Sequence, residues 1–348
     1  MMKKIGTPQF SNEQDLERAL STPPPAVVES LSRLQGDLLI LGAGGKMGPT
    51  LAMMAKRALD EAGCNNQVIA VSRFSDASAA KSLQKAGVKI IQANLLDRNA
   101  IGNLPDAPNI VFMAGQKFGS REGFDLTWAI NTYVPCLAAE RFAQSRFVAF
   151  STGNVYSFVP VTSRGSVETD AVQPIGEYAQ SCVGRERLLH YFSSHHHTPM
   201  TIFRLNYAVE MRYGVILDIA QRVLSKSEIN LSMGYVNVIW QGDANAYALQ
   251  AFALCQSPPC ILNCTGSEVL SVRTLAEQFG ARFHKRPRFS GKENPTALLS
   301  DSSRCTQLLG PPQVGIEEIL DWTADWLQRD QPVWNKPTQF EKRDGVFS

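Results

Sequence analysis

An apolar run that ends in a glycine-rich loop and leads into a helix constrains the fold of this chain most strongly. The segment "DLLILGAGGKMG", residues 37–48, is continuously apolar from Leu38 to its first glycine, Gly42. Such a run is typical of a strand that is buried on both faces. The loop then places Gly42, Gly45 and Gly48 at three-residue intervals, and "PTLAMMAKRALDEAG" continues as a predicted helix. Strand, glycine turn and helix in this order predict the first unit of a parallel sheet.

The same alternation of short apolar runs and longer helical segments continues along the chain. Strands are predicted at "QVIAVSR", "VKIIQANLLD", "NIVFMAG", "RFVAFSTGNVY" and "MTIFRLNYAV", and a helix at "TWAINTYVPCLAAERFAQS". Alternation of this kind implies right-handed crossovers between parallel strands. The predicted fold is therefore α/β, a parallel sheet with helices on both faces, over residues 36–205.

Three further regions flank this domain. Residues 1–35 form a helical leader, in which "SNEQDLERAL" opens with a capping-box pattern of Ser11 and Gln14. We expect the leader to pack against the main domain or a neighbouring subunit. Residues 206–330 have a less regular rhythm and are predicted to form a smaller C-terminal lobe. The tail, residues 331–348, is polar and is expected to be loose.

Charge and composition exclude several classes of partner. A net charge of +2 gives no broad field for nucleic acid or an acidic membrane surface. No apolar run approaches a membrane span, and the two N-terminal lysines precede no apolar stretch, so a secretory signal is not predicted. The cysteines form no CxxC motif and lie in apolar company, as expected of reduced thiols in a cytoplasmic protein. His195–His197 is interpreted as a solvated loop, and no metal site is predicted.

The glycine loop carries the clearest chemical signal. One glycine permits the tight turn, one lets the backbone approach a pyrophosphate, and one permits close packing of helix against strand. The N-terminus of the following helix offers free N–H groups and a positive dipole to phosphates. The pattern therefore predicts that a dinucleotide binds at this loop, which includes Lys46 and Met47.

The end of the second strand bears on which dinucleotide is bound. NAD selection usually needs a carboxylate there, but "AVSRFSD" places Ser72 and Arg73 at this point. A guanidinium suits the ribose phosphate of NADP, and Lys46 adds a second positive charge. NADP is therefore favoured, although Asp76 leaves NAD open as the alternative.

Several motifs in order resemble the extended branch of the short-chain dehydrogenase/reductase superfamily, the NAD(P)-dependent sugar epimerases and dehydratases. "LGAGGKMG" resembles its GxxGxxG loop, "FSTGNVYS" its S-[ST]-x-x-V-Y signature, and "GEYAQSC" its YxxxK helix except at the last residue. "VNVIWQGDANAYAL", with Asp243, resembles the strand and helix of the lobe that return to the sheet, at about residues 236–258. The resemblance implies a Rossmann-type sheet, a substrate-binding lobe, a sugar-like substrate and a homodimer.

The resemblance also implies which residues bind the cofactor and which take part in catalysis. "ANLLD" is similar to the segment that meets the adenine, with Asn94 where an aspartate is usual, and "VFMAG" to the strand end beneath the cofactor. The implied cofactor-binding residues are Gly42, Gly45, Lys46, Met47, Gly48, Ser72, Arg73, Asn94, Leu95, Ala114, Gly115 and Ser151. The implied catalytic residues are Tyr178, Thr152 and Asn131.

The catalytic helix departs from the family pattern at Cys182, where a lysine is expected four residues after Tyr178. The lysine lowers the pKa of the tyrosine and holds the nicotinamide ribose, whereas forming an unassisted tyrosinate at pH 7 costs about 4 kcal/mol. A neutral thiol supplies no charge, and a thiolate repels a tyrosinate. Arg185 and Glu186 are expected to form surface ion pairs. A neutral tyrosine still donates a hydrogen bond, so the loss of lysine impairs a reductase less than a dehydrogenase.

Three functional hypotheses follow. The leading one is an NAD(P)-dependent oxidoreductase or epimerase/dehydratase-like enzyme acting on a polyhydroxylated, sugar-like small molecule. The alternative is a catalytically silent NAD(P)-binding protein that senses redox state or assembles with partners, for which Cys182 is the argument. A third hypothesis makes Cys182 a thiol nucleophile beside the nicotinamide.

Overall fold

A seven-stranded parallel sheet forms the centre of the protein. The computed structural model describes residues 9–75, 77–119 and 123–347. In chain order the strands are β1 Leu38–Leu41, β2 Val68–Ser72, β3 Lys89–Gln92, β4 Asn109–Phe112, β5 Arg146–Thr152, β6 Val159–Pro160, β7 Met200–Leu205, β8 Ala208–Val209, β9 Glu228–Asn230, β10 Tyr235–Val236, β11 Ile239–Trp240, β12 Cys260–Cys264, β13 Leu270–Ser271, β14 Arg288–Ser290 and β15 Thr296–Ala297. The sheet has the order β3-β2-β1-β4-β5-β7-β12. This is the order of a Rossmann-type fold, and the six strands predicted from the sequence are confirmed.

Helices cover both faces of this sheet. They are α1 Glu13–Leu20, α2 Pro25–Ser32, α3 Gly48–Glu61, α4 Ala77–Lys85, α5 Arg98–Gly102, α6 Phe124–Trp128, α7 Val134–Arg141, α8 Gly176–His196, α9 Val215–Leu224, α10 Gln241–Gln250, α11 Val272–Phe283, α12 Ser303–Leu309 and α13 Ile316–Gln328. Along β1, Leu38 and Ile40 pack with α2, α3 and α10, while Leu39 and Leu41 pack with α5 and α7. The continuous apolar run therefore reflects burial on two faces, as predicted. No helix in the described ranges is long and apolar enough to cross a membrane.

The smaller lobe has its own apolar core, built mainly from α9, α11, α13 and the short strands around them. The prediction that residues 236–258 supply a strand to the main sheet is wrong. β11 pairs with β8 instead, and the seventh strand is β12, whose parallel partner is β7. Only the helix α10 returns, with its apolar side chains against α2 and α3. Two residues are too few for β11 to compete with the five-residue, largely buried "CILNC" for the sheet edge.

Both ends of the chain differ in detail from the predictions. The leader packs as expected, since Leu16, Leu20, Val27 and Leu31 are buried. However, α1 is capped by the side chain of Asn12, which accepts from the N–H of Asp15, and not by the Ser11 capping box. The expected loop at the three histidines is also wrong, because α8 continues through the first two of them.

The expectation of a loose tail is wrong as well. Residues 331–347, here called the strap, form no helix or strand but pack across the lobe. Phe340 and Phe347 are only 3% and 4% exposed. The N–H and the hydroxyl of Thr338 donate to Asp218 on α9 at 2.7 and 2.5 Å. Arg343 donates to the carbonyl of Thr296 at 2.7 Å. Polar composition here reflects specific hydrogen bonds and not disorder.

Replacing Phe340 by alanine tests the packing of the strap. The ring lies in the core of the lobe, so Phe340→Ala should lower the free energy of unfolding by about 3 kcal/mol. The control Leu308→Ala, at a side chain that is 47% exposed, should change it by no more than about 0.5 kcal/mol. Urea denaturation measures both values. If Phe340→Ala lowered the free energy of unfolding as little as Leu308→Ala does, the tail would be loose as the sequence predicted.

Candidate cofactor and active site

The glycine loop between β1 and α3 is tightly packed at three of its glycines. Gly42 has φ +92°, and a methyl group added there would lie 2.5 Å from the backbone nitrogen of Ala114. At Gly48 the same addition would meet the carbonyl oxygen of Ala43 at 2.3 Å. At Gly44 it would meet the Ser72 hydroxyl at 2.6 Å. These three positions hold the loop against β2, β4 and the start of α3.

Gly45 is the open position of the loop. A methyl group added there would meet only the Gly42 carbonyl oxygen, at 3.6 Å. The backbone at Gly45 therefore faces free space, beside the N-terminus of α3, where unpaired N–H groups and the helix dipole favour an anion. This is the arrangement that a pyrophosphate needs.

The space in front of Gly45 is a cavity of about 420 Å³ that runs along the carboxyl ends of β1, β2, β3 and β4. A cavity of this size lies within the usual range for small-molecule sites. Eight of the predicted cofactor-binding residues line it: Gly42, Gly45, Ser72, Arg73, Asn94, Leu95, Ala114 and Gly115. The structure thus brings together the residues that the four strand ends contribute.

Four other predicted residues do not line this cavity. Met47 is the N-cap residue of α3, and Gly48 is the packing glycine described above. The Ser151 hydroxyl is turned away and donates to Glu186 at 2.5 Å. Lys46 extends toward the lobe, where its Nζ lies 3.1 Å from the centre of the Tyr213 ring. Lys46 therefore lies outside the cavity wall that carries Arg73, with its ammonium over the Tyr213 ring.

The charges at the cavity wall are positive. Arg73 and Lys336 line it, and none of the lining residues in the described ranges is acidic. Asp76, the residue that kept NAD open as the alternative, lies outside the described residues. Lys336 belongs to the strap, so the tail of the sequence reaches the cofactor cavity.

Sequence reasoning missed several lining residues, among them Gly44, Phe74, Gln116 and Lys336. Gly44 and Phe74 are adjacent in sequence to the predicted residues Gly45 and Arg73, so the motifs had already located this part of the site. Gln116 follows the "VFMAG" strand end directly. Lys336 had no signal, because nothing local connects residue 336 with a strand end near residue 72.

Asn131 braces the far end of the cavity. It is fully buried in a π-helical turn between α6 and α7. Its side chain holds the backbone of Gln116, accepting from the N–H and donating to the carbonyl, both at 2.9 Å. It also donates to the Ser181 hydroxyl on α8 at 2.9 Å. Asn131 therefore supports the site from behind by fixing the loop after β4 to α8.

The expectation of surface ion pairs at Arg185 and Glu186 is wrong, because both are buried on the sheet side of α8. Arg185 is 5% exposed and donates to the carbonyls of Asn131 and Phe150 at 3.1 and 2.8 Å. Glu186 is 6% exposed and pairs with Arg204 on β7 at 2.6 Å. The partners of α8 are the carbonyls of Asn131 and Phe150 and the buried Arg204, none of which the sequence revealed.

Tyr178 and Thr152 form a hydroxyl pair at the junction of α8 and β5. Thr152 ends β5 and is 8% exposed, and Tyr178 lies in the first turn of α8. Burial raises the pKa of the Tyr178 phenol well above its ordinary value, and Cys182 raises it further. Arg185 and a hydrogen bond with Thr152 oppose that rise. Tyr178 is therefore a neutral hydroxyl at physiological pH.

Cys182 is a packing residue in this site. Its side chain is 1% exposed and lies against Val155 and Tyr156 in a small apolar cluster. Burial raises the pKa of its thiol, which is the opposite of what a nucleophilic cysteine requires. The surroundings do not favour the thiol-nucleophile hypothesis.

The strap packs against the start of α8 and the Tyr178 ring. Phe347 packs edge-on against the Tyr178 ring, with 5.9 Å between ring centres. Gly345 touches the backbone of Gly176, the first residue of α8. Between Tyr156 and the strap a cavity of only about 20 Å³ remains. The Tyr178 ring thus lies against the last described residues of the chain.

Comparison with known proteins places this arrangement in a family. The model of the NAD dependent epimerase/dehydratase family matches residues 38–224, more than half of the chain. The chain belongs to this family. The matched range contains the glycine loop, all the residues that line the cavity except Lys336, and the hydroxyls of Thr152 and Tyr178. No curated protein sequence matches the chain.

Solved structures of this fold include several sugar-modifying enzymes. The UDP-glucose 4-epimerase of Thermus thermophilus, solved with NAD, has a TM-score of 0.69 at 18% identity, covering 84% of this chain and 99% of that one. The dTDP-glucose 4,6-dehydratase of Streptomyces venezuelae, solved with NAD, gives 0.72 at 16% identity, covering 84% and 97%. The UDP-glucuronic acid 4-epimerase of Bacillus cereus gives 0.69 at 17% identity, covering 84% and 99%. These likenesses confirm the epimerase/dehydratase fold.

Removing the buried charge of Glu186 tests the framework of the site. Glu186→Gln leaves the Arg204 guanidinium without an ionic partner, and we expect a loss of about 3 kcal/mol in the free energy of unfolding. The matched control is Glu140→Gln, in an exposed pair with Arg98, where about 0.5 kcal/mol is expected. Urea denaturation compares the two. A similar loss in both variants would contradict the structural role of Glu186.

Proposed function

We propose that the protein is an NADP-preferring oxidoreductase or epimerase/dehydratase-like enzyme acting on a polyhydroxylated, sugar-like small molecule. The proposal rests on one observation: the cofactor cavity ends at a loop that is fixed to the helix of Tyr178. The cofactor cavity begins at the glycine loop and ends at Gly115 and Gln116, and Asn131 fastens that end to the helix that carries Tyr178. A cofactor in this cavity is therefore directed toward the hydroxyl pair of Tyr178 and Thr152.

The substrate class is supported by the family and by its structural relatives. The relatives named above act on UDP-glucose, dTDP-glucose and UDP-glucuronic acid, which share a hexose ring. The hydroxyl groups of a hexose can form hydrogen bonds with a tyrosine and a threonine hydroxyl, and they can exchange protons with the tyrosine. A polyhydroxylated substrate suits the same pair here.

NADP is proposed over NAD on the basis of charge. The adenosine end of the cavity carries the Arg73 guanidinium beside Ser72, and Lys336 adds a second cation from the strap. A ribose phosphate forms charge-assisted hydrogen bonds with such groups, which are stronger than bonds between neutral partners. A ribose hydroxyl gains much less from them.

The fit of a dinucleotide is supported by the loop itself, since Gly45 leaves its backbone open where a pyrophosphate requires close approach. Gly42, Gly45 and the first turn of α3 would hold the pyrophosphate, and Ala114 and Gly115 would lie against the nicotinamide half. A bound cofactor would supply hydride transfer to or from a substrate carbon. Tyr178, held neutral by burial, donates a hydrogen bond to the substrate oxygen, and Thr152 orients the phenol. This division of roles suits reduction of a carbonyl.

Replacing Arg73 tests the cofactor preference. Arg73→Ser removes a charged donor worth about 1.5–3 kcal/mol, so NADPH affinity should fall about 10- to 100-fold. NADH affinity should stay within about twofold, because its ribose hydroxyl makes no charged contact. Fluorescence titration of cofactor-free protein gives both constants. The control Arg98→Ser, at an exposed arginine paired with Glu140, should alter neither. Failure of both nucleotides to bind the unaltered protein would remove the proposal.

Replacing Tyr178 tests the catalytic role. Tyr178→Phe should lower turnover of NADPH with keto sugars by about 100-fold or more, since it removes the proton-bearing group. The phenyl ring keeps the packing against Phe347, so NADPH affinity should be unchanged. Rates are followed by NADPH absorbance across a panel of sugars and keto sugars. A variant with full turnover would exclude Tyr178 from the reaction.

A further inference from the structure

On α8, the helix that carries Tyr178, no lysine stands four residues after the tyrosine. Cys182 fills the usual lysine position with a buried thiol among apolar side chains. Arg185 is near, but its guanidinium is engaged by the Asn131 carbonyl, the Asn131 amide oxygen at 2.8 Å and the Phe150 carbonyl. Arg185 is therefore a fixed structural charge beneath the site. Arg185 opposes the rise in the pKa of the Tyr178 phenol, but its guanidinium is held by three hydrogen bonds. A cation that can exchange a proton at this site has to come from another element.

Lys117, in the loop after β4, reaches this place. Its backbone follows Gln116, which Asn131 holds by two hydrogen bonds. Its Nζ lies 4.1 Å from the centre of the Phe347 ring, the same ring that packs edge-on against Tyr178 at 5.9 Å. Lys117 and Tyr178 therefore contact the same aromatic side chain.

The charge of Lys117 acts on the helix position that lacks a lysine. Burial raises the pKa of the Cys182 thiol, and Lys117 is among the groups that oppose this rise. Burial lowers the pKa of Lys117 to about 8, while Cys182 on α8, Asp218 on α9 and Glu341 on the strap raise it. Lys46 in the glycine loop is a further positive neighbour. An ammonium with this pKa is charged at neutral pH and able to exchange its proton.

The strap sets the position of the Lys117 side chain. Its Nζ donates to the carbonyl oxygen of Thr338 at 3.4 Å and lies against Phe347. Thr338 is itself fixed to Asp218 by two hydrogen bonds. The loop after β4 supplies the cation, and the strap holds it toward α8.

We propose that Lys117 supplies the positive charge that the catalytic helix lacks at Cys182, and that the strap positions it beside Tyr178. The inference rests on the proposed function, in which Tyr178 bears the proton. An ammonium near the phenol stabilises its anion and so eases proton transfer to or from the substrate oxygen. Cys182 then has only a packing role. Because Lys117 acts through Tyr178, it is a positioning residue for the acid–base step.

The test reads the electrostatic field at position 178 directly. A trifluorinated tyrosine, whose phenol ionises at lower pH than that of tyrosine, replaces Tyr178 in the full chain, and its absorbance and ¹⁹F shift are followed against pH. Lys117→Met should raise the pKa of this phenol by about one unit, which means about tenfold less phenolate at a given pH. Lys117→Arg, which keeps the charge, should retain most of the wild-type value. Lys342→Met, a matched change at an exposed lysine of the strap, should leave it unmoved.

The outcomes separate this inference from the proposed function. An unchanged phenol pKa in folded Lys117→Met protein overturns it, as does an equal rise in Lys342→Met. A fall in NADPH affinity without a phenol change makes Lys117 a cofactor ligand and also overturns it. Circular dichroism verifies that each variant is folded. If Lys117→Met unfolds, the pKa of the phenol is measured in Lys117→Gln, which also removes the charge but keeps a polar side chain. Absence of NADPH binding in all variants refutes the proposed function, whereas the phenol shift still reports the charge of Lys117.

Discussion

The buried carboxylate of Glu186 is the contact on which the geometry of the site depends. It accepts from the Ser151 hydroxyl on β5 and pairs with Arg204 on β7, and Arg204 in turn donates to the Tyr156 hydroxyl at 2.6 Å. The Tyr156 hydroxyl in turn donates to the side-chain oxygen of Asn263 on β12 at 2.8 Å. One ionised side chain thus ties α8 to three neighbouring strands. Since an unpaired buried charge is strongly unfavourable, the register of α8 on the sheet is fixed within narrow limits.

That register explains why the cysteine at position 182 is compatible with an ordered site. Tyr178, Cys182 and Arg185 follow one face of α8, at spacings that bring all three toward the sheet. A lysine is not needed to hold the helix, because Arg185 and Glu186 already do so one turn later. The helix is therefore anchored by charges that stay in place, and a charge that exchanges protons is free to come from the loop after β4.

The fold was predictable because its signals are local. The apolar run of β1, the three glycines after it and the proline in the first turn of α3 all act within about one strand, loop and helix, where short-range propensities decide the outcome. The strand-end residues Ser72, Arg73, Asn94 and Gly115 met in one cavity because parallel strands place their carboxyl ends on one edge.

The predictions failed where partners are distant in sequence. Lys336 reaches a cavity built from residues 42–134, and Phe347 reaches Tyr178, yet neither has a periodic or turn signal that points there. Arg185 and Glu186 read as surface charges because their buried partners, Phe150 and Arg204, lie on strands that only the tertiary fold brings close. β12 was assigned to the lobe for the same reason.

The position of the strap has a consequence for biosynthesis. Residues 331–347 leave the ribosome after every other element they touch, and domains fold as units during synthesis, beginning at the N-terminus. The parallel sheet and its glycine loop can form while this segment is still inside the exit tunnel, with Tyr178 uncovered and Lys117 unheld. The nascent protein thus passes through a stage in which Tyr178 is uncovered and the cavity lacks Lys336, and the arrangement of the site is completed when the strap docks.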